Sequence, residues 1–289
     1  MILFHDPICA EYGSAMRPEQ PARIIRSAAH LRSAHPDWEW RLPAAAGEPT
    51  LLTAHSPALL ARLQHPPDLD DDTPYFPGIY DHARRSVGAA LAATEAALAG
   101  QRSFALMRPP GHHCTRHRAM GFCYLNQIAL AALQAAGTGR RVAVWDFDAH
   151  HGNGTEDILQ GRPNTLFASV HQFPGYPGTG TRSSTNCLNF PVAPHTPRAG
   201  HLAALARSWE AVLDFKPDVV LVSAGFDAYA DDPITEMTLA REDFAELGRW
   251  LRQSALPAAA ILEGGYSPEL PLLIDDFLSA WENQAALTA

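Results

Sequence analysis

Asp148 and His150 stand two residues apart, just after the apolar run Arg141-Val-Ala-Val-Trp145, where a strand is expected to end. On extended backbone, residues two apart point the same way, so this carboxylate and imidazole can share one ion. Asp227 follows the run Val219-Val-Leu-Val222 and supplies a third ligand from a neighbouring strand end. Two carboxylates and an imidazole form an open site for a divalent cation, with room for water and a substrate oxygen. The set is richer in oxygen than most catalytic zinc sites, so Fe(II), Co(II) and Mn(II) are also compatible. Singly, each residue is more simply read as a helix cap, an arginine partner or a buried histidine. Their joint placement after separate strands is not so easily dismissed. A two-metal ureohydrolase site would need further carboxylates two residues beyond His150 and Asp227. Gly152 and Tyr229 stand there, which leaves a site for one ion.

His112-His113 follows Pro109-Pro-Gly111, a turn that lifts both rings out of a sheet edge. A histidine beside a metal-activated water can take its proton and later pass it to a leaving amine. Asp146 can orient one of these rings and Asn153 the other. Tyr266 follows Glu263-Gly264-Gly265, where two glycines let the backbone pass close to a ligand while aiming the phenol inward. One such donor to an oxyanion is worth about 3–4 kcal/mol. Outside this setting the histidines would be surface residues and the tyrosine a packing residue.

The elements that must hold these groups alternate. Short apolar runs at 141–145, 219–222, 258–262 and 104–107 read as buried strands. Ala-rich amphipathic stretches near 78–99, 123–136, 200–214, 240–253 and 268–283 read as helices. Strand followed by helix, repeated, means a parallel sheet with helices on both faces, and ligands in such sheets bind beyond the carboxyl ends of the strands. The segment 64–77, with His65-Pro66-Pro67 and Asp70-Asp71-Asp72, reads as a surface loop or the rim of a site.

The 289 residues are expected to form one domain over 1–289, because no repeat or Gly/Ser linker divides them. Apolar residues at 46% supply a core. Twenty-two basic against thirty-one acidic side chains give a net charge of −9, which argues against nucleic acid or an anionic membrane as partner. Cys9, Cys114, Cys123 and Cys187 form no Cys-x-x-Cys pair and no disulfide framework; with no signal-peptide pattern at the start, a reduced, cytoplasmic setting is expected. No apolar run approaches the ~18 residues of a membrane span.

Arg108-Pro-Pro-Gly-His-His113, Gly121-Phe-Cys-Tyr-Leu-Asn126, Asp146-Phe-Asp-Ala-His-His-Gly-Asn-Gly-Thr155, Tyr176-Pro-Gly-Thr-Gly180, Ser223-Ala-Gly-Phe-Asp227 and Glu263-Gly-Gly-Tyr266 together resemble the zinc-dependent histone deacetylase family. That family includes acetoin-utilisation proteins and acetylpolyamine amidohydrolases. The motifs run in order from about Arg17 to Tyr266. The resemblance implies an α/β arginase/deacetylase fold, a single domain with a central eight-stranded parallel sheet. It implies Asp148, His150 and Asp227 as zinc ligands, His113 as general base and then acid, His112 as electrostatic partner and Tyr266 as polariser of the carbonyl. Asn153, where some relatives carry aspartate, looks like the class II pattern. Phe122 and Tyr176, with Gly121 beside them, resemble the walls of a narrow substrate tunnel. Asp72 resembles a rim aspartate, with Asp70 and Asp71 as alternatives in the same loop. Arg17-Pro-Glu-Gln-Pro-Ala-Arg23 looks like the N-terminal motif, with Arg23 near the floor of the site. A potassium ion is implied beneath the zinc, on backbone oxygens around Asp146, Asp148 and His150 and on Ser169.

The expected activity is a hydrolase that removes an acyl group, most simply acetyl, from the side-chain amine of acyl-lysine, its partner being an acyl-lysine protein or peptide or a small acylated amine. Ile234, after Asp232-Pro233, resembles a gate position; being apolar, it offers no carboxylate to a polyamine and favours lysine-like substrates. An acetylpolyamine amidohydrolase is the alternative. An arginase-like ureohydrolase and a non-catalytic acyl-lysine binder are more remote. The compact length leads us to expect a shallow, accessible tunnel; no oligomeric state follows from the sequence.

Overall fold

A computed structural model describes residues 1–282. The last residues of the expected domain, and residue 283 of the last expected helix, lie outside this range. The chain runs β1 (Ile2–Phe4), α1 (Ala22–Ala34), β2 (Glu39–Arg41), α2 (Glu48–Leu51), α3 (Pro57–Arg62), α4 (Ile79–Leu98), β3 (Ser103–Ala105) and α5 (Gln127–Ala136). It continues with β4 (Val142–Asp146), α6 (Asn153–Leu159), β5 (Thr165–Gln172), β6 (Cys187–Val192), α7 (Arg198–Asp214), β7 (Val219–Ala224), α8 (Arg241–Ser254), β8 (Ala258–Leu262) and α9 (Leu270–Glu282).

The eight strands form one parallel sheet in the order β2-β1-β3-β8-β7-β4-β5-β6. This order answers how distant motifs meet. β3, β8, β7 and β4 are central neighbours, so the segments that follow them emerge side by side at one edge. Every residue of these four strands is buried, as expected for strands covered on both faces. Trp145 of β4 packs its indole on Trp209 of α7 and Trp250 of α8 and donates to Ser208 Oγ at 2.9 Å. Helices α4 and α5 pack against each other and against the sheet, α4 on β3 and β8, α5 on β4.

The five expected helices and the central strands form close to their expected limits. One expectation needs correcting. β4 ends at Asp146, so Asp148 and His150 are not the last extended residues of a strand but lie in the bend beyond it. Strand alternation therefore does not aim them together; backbone hydrogen bonds in the bend do. The helix expected from 123 begins at Gln127, because Asn126 caps it through Oδ1, accepting from Ala129 N at 2.9 Å. Four strands and the helices α1, α2, α3 and α6 were not expected from the sequence. β1 and β2 have three residues each, β5 contains buried Ser169 and His171, and β6 is interrupted by Pro191.

Candidate active site

Part of the set singled out in the sequence lines one cavity of about 290 Å³. His113, His150, Tyr266, Gly121, Phe122, Tyr176, Asp72, Ile234, Arg17 and Pro18 line it.

At its base Asp148, His150 and Asp227 offer ligand atoms that all lie within 4.8 Å of one another. His150 Nδ1 is 3.1 Å from Asp148 Oδ1 and 2.9 Å from Asp227 Oδ2. Each carboxylate is held by main-chain donors. Asp148 Oδ2 accepts from Gly264 N at 2.7 Å, Asp148 Oδ1 from His150 N at 2.9 Å, and Asp227 Oδ1 from Ala149 N at 2.7 Å. Gly264 permits this approach, since a Cβ there would stand 2.2 Å from Asp227 Oδ2 and 2.5 Å from Asp148 Oδ2. Burial opposes charge on His150, yet the Asp227 and Asp148 carboxylates hold its imidazole well above the usual range. Burial, and then repulsion from Asp148, pushes the Asp227 carboxyl up. Such a field favours a divalent cation. Gly152 is packed tightly: a Cβ there would meet Asp146 Oδ2 at 2.4 Å, and the Tyr229 hydroxyl donates to Glu269 at 2.8 Å, so neither position serves a second ion.

The two histidines above the triad differ in kind. His112 Nδ1 is 3.1 Å from Asp146 Oδ2, and its Nε2 is 3.8 Å from Asp148 Oδ1. Burial opposes its charge, but Asp148 and Asp146 reverse that and raise the ring to about 10. His113 Nδ1 bonds Asn153 Oδ1 at 2.8 Å. Burial, followed by the charges of His112 and His150, holds this ring well below the usual range. One imidazole is thus kept charged and its neighbour neutral, with ring centres 4.0 Å apart. Asp146 and Asn153 each take the ring that the sequence left unassigned.

Tyr266 leaves β8 through Gly264 and Gly265, and its hydroxyl makes no hydrogen bond among the described residues. Arg23 lies under it, with Cζ 4.8 Å from the ring centre and Nε donating to Gly265 O at 2.8 Å. Gly121 and Phe122 both adopt positive φ, +58° and +66°. For Phe122 this backbone costs roughly 1–2 kcal/mol, offset in part by its N–H donating to Thr73 Oγ1 at 3.1 Å. The turn sets Phe122 edge-on to Tyr266 at 5.8 Å, while Tyr176 stands perpendicular to His113 at 5.1 Å. Of the three loop aspartates, Asp72 lines the cavity, whereas Asp70 pairs with Arg118. Exposed Asp72, Tyr176 and Ile234 mark the open side.

Sequence reasoning missed two buried carboxylates. Glu263 Oε2 accepts from Gly111 N at 2.7 Å and His112 N at 3.1 Å, bracing the tandem-histidine turn. Asp232 Oδ2 accepts from Tyr266 N at 2.7 Å and Ser267 N at 3.2 Å, while its Oδ1 accepts from Ile234 N at 3.1 Å. It ties the tyrosine turn to the cavity wall. Glu263 stood inside a noted motif and Asp232 before Ile234, but their partners are main-chain groups far away, which leave no pattern in sequence.

The histone deacetylase domain family matches residues 17–277, which include every residue of this site. The chain belongs to the histone deacetylase family. It is similar to the histone deacetylase-like amidohydrolase of Pseudomonas aeruginosa, with 36% identity over 89% of this chain and 74% of that one. It is also similar to the acetylpolyamine amidohydrolase of Mycoplana ramosa, with 30% identity over 88% of this chain and 81% of that one. Among solved structures, the acetylpolyamine aminohydrolase of Burkholderia pseudomallei superposes with a TM-score of 0.88 at 26% identity, covering 97% of this chain and 98% of that one. The family membership bears out the expected deacetylase-type fold and a deacetylase or amidohydrolase activity. Among the described residues no helix is long and apolar enough to cross a membrane.

Proposed function

We propose that this protein is a zinc-dependent amidohydrolase that removes an acyl group, most simply acetyl, from the side-chain amine of acyl-lysine. The observation that carries the reading is the convergence of Asp148, His150 and Asp227 at the base of a cavity that also holds His113 and Tyr266. Their two carboxylates and one imidazole fit a divalent cation. Zinc held there would supply Lewis acidity for the amide carbonyl and acidify a water.

The residues of the chain account for the rest. The aromatic walls, Phe122 and Tyr176, hold the aliphatic arm and exclude water around it. The Tyr266 hydroxyl donates to the carbonyl oxygen as negative charge develops on it. His113, neutral and fixed through Nδ1 by Asn153, turns Nε2 to the cavity, takes a proton from the attacking water and returns it to the departing amine. His112, paired with Asp146, adds fixed positive charge beside the reaction. The backbone oxygens of Asp148 and His150 accept no hydrogen bond among the described residues, which suits the expected potassium site with Ser169. The four free, buried cysteines suit a reduced cytoplasm.

Acetylpolyamine hydrolysis is the second reading, favoured by the relatives so named. Steady-state rates on an acetyl-lysine peptide and on acetylputrescine separate the two. We expect the lysine substrate to be preferred; preference for acetylputrescine would establish the second reading, and failure to hydrolyse these or any other acylated amine would remove both.

A further inference from the structure

Two opposite charges lining the cavity have no partner among the described residues. Arg17 is half-buried on the cavity wall, yet its guanidinium makes no hydrogen bond or ion pair among the described residues. Its turn is well anchored: Arg17 N donates to Ser14 O at 3.2 Å, and Glu19, two residues on, is buried between Arg23 and Arg108. The neighbouring arginines are engaged, Arg23 with Glu19 and Gly265 O, Arg118 with Asp70. Among the described residues Asp72, on the same cavity, accepts no hydrogen bond through its carboxylate and does not pair with Arg17. Both nonetheless face the same cavity of about 290 Å³.

An occupant that satisfies both groups carries an anion and a cation at the far end of its aliphatic arm. A polyamine would set a second ammonium against Arg17. A residue within a peptide would present neutral amides to both charges. The α-carbon of a free amino acid offers a carboxylate for the planar guanidinium fork and an ammonium for Asp72. We propose that the mouth of the cavity selects free Nε-acyl-lysine, Arg17 binding its α-carboxylate and Asp72 its α-ammonium. This rests on the acyl-lysine hydrolase reading and narrows its substrate to the amino acid itself.

Nε-acetyl-lysine and N-acetylcadaverine differ by the α-carboxylate alone, so the ratio of their kcat/KM values on the zinc-loaded protein isolates the Arg17 contribution. A charge-assisted contact of this kind predicts a ratio of about ten or more. Arg17→Gln should bring the ratio close to one, chiefly through KM for acetyl-lysine, and Arg17→Lys should recover part of it. Asp72→Asn should erode the preference for Nε-acetyl-lysine over its Nα-acetylated form. Equal or faster hydrolysis of acetylcadaverine, or a ratio that survives Arg17→Gln, overturns this assignment while the hydrolase reading stands. Failure to hydrolyse any acylated amine overturns both.

Discussion

Glu19 lies between two guanidiniums: Arg108 Nη2 donates to Oε2 at 2.7 Å and Arg23 Nη1 to Oε1 at 3.3 Å, all three groups buried. A short distance away Asp148 and Asp227, equally buried, share one imidazole. Burial works against charge in both places. Around Glu19 the arginines more than offset it and hold the carboxyl below its usual range. At Asp227 the carboxyl is instead pushed up, by burial first and then by repulsion from Asp148. The first cluster is balanced by the chain itself and fastens the N-terminal turn to β3 and the tyrosine turn. The second gathers two buried carboxylates on one imidazole, a donor set that fits a divalent cation.

The largest expected effect breaks the first cluster. Glu19→Gln leaves two buried arginines without their shared anion and should lower the unfolding free energy by about 3–5 kcal/mol in denaturant titrations. Asp227→Asn removes a charge from a repulsive pair, so the metal-free protein should lose less than about 1 kcal/mol in the same experiment. Equal losses would erase the distinction.

Tyr266→Phe comes next. It should lower kcat by about 10²–10³, corresponding to about 3–4 kcal/mol, with zinc content per chain unaltered. Unchanged turnover on acetyl-lysine would remove the tyrosine from the reaction. Stripping metal with a chelator should then lower the melting temperature, and zinc at 100 times its dissociation constant should restore about 2.7 kcal/mol. Glu19→Gln protein should show the same zinc response, since its cluster takes no part in binding.

The smallest effect concerns a buried group kept neutral. His55 Nδ1 donates to Thr115 O at 3.0 Å and Nε2 accepts from Asn126 N at 2.9 Å, and burial lowers the ring from 6.5 to about 4. The unfolded chain therefore binds the extra proton between those values. The contribution of His55 is whole above pH 6.5 and is lost as pH falls toward 4, at up to about 1.4 kcal/mol per pH unit. His55→Gln should show a shallower decline in stability from pH 7 to 5; an identical slope would show that the ring is not held neutral.

The two kinds of cluster were not equally legible. Asp148, His150 and Asp227 could be found because each follows a short apolar strand, and neighbouring strands in a parallel sheet bring such ends together. Even there the reason for their alignment was local, since the strand stops at Asp146 and hydrogen bonds from Gly264, Ala149 and His150 do the aiming. Arg23 was legible within its motif, but not the Glu19–Arg108 pairing, which joins side chains 89 residues apart. Glu263 and Asp232 act on main-chain N–H groups, which every residue but proline carries, so no residue type betrays them. Strand β5 escaped because buried Ser169 and His171, hydrogen-bonded to each other at 2.9 Å, interrupt its apolar run.

The central claim is that three chain-distant side chains make one cation site. Calorimetric titration of zinc into the metal-free protein tests it most directly. The account predicts one ion bound per chain, and loss of that binding in Asp227→Ala protein that still folds. No saturable binding, or binding that persists at full affinity without the Asp227 carboxylate, would contradict it.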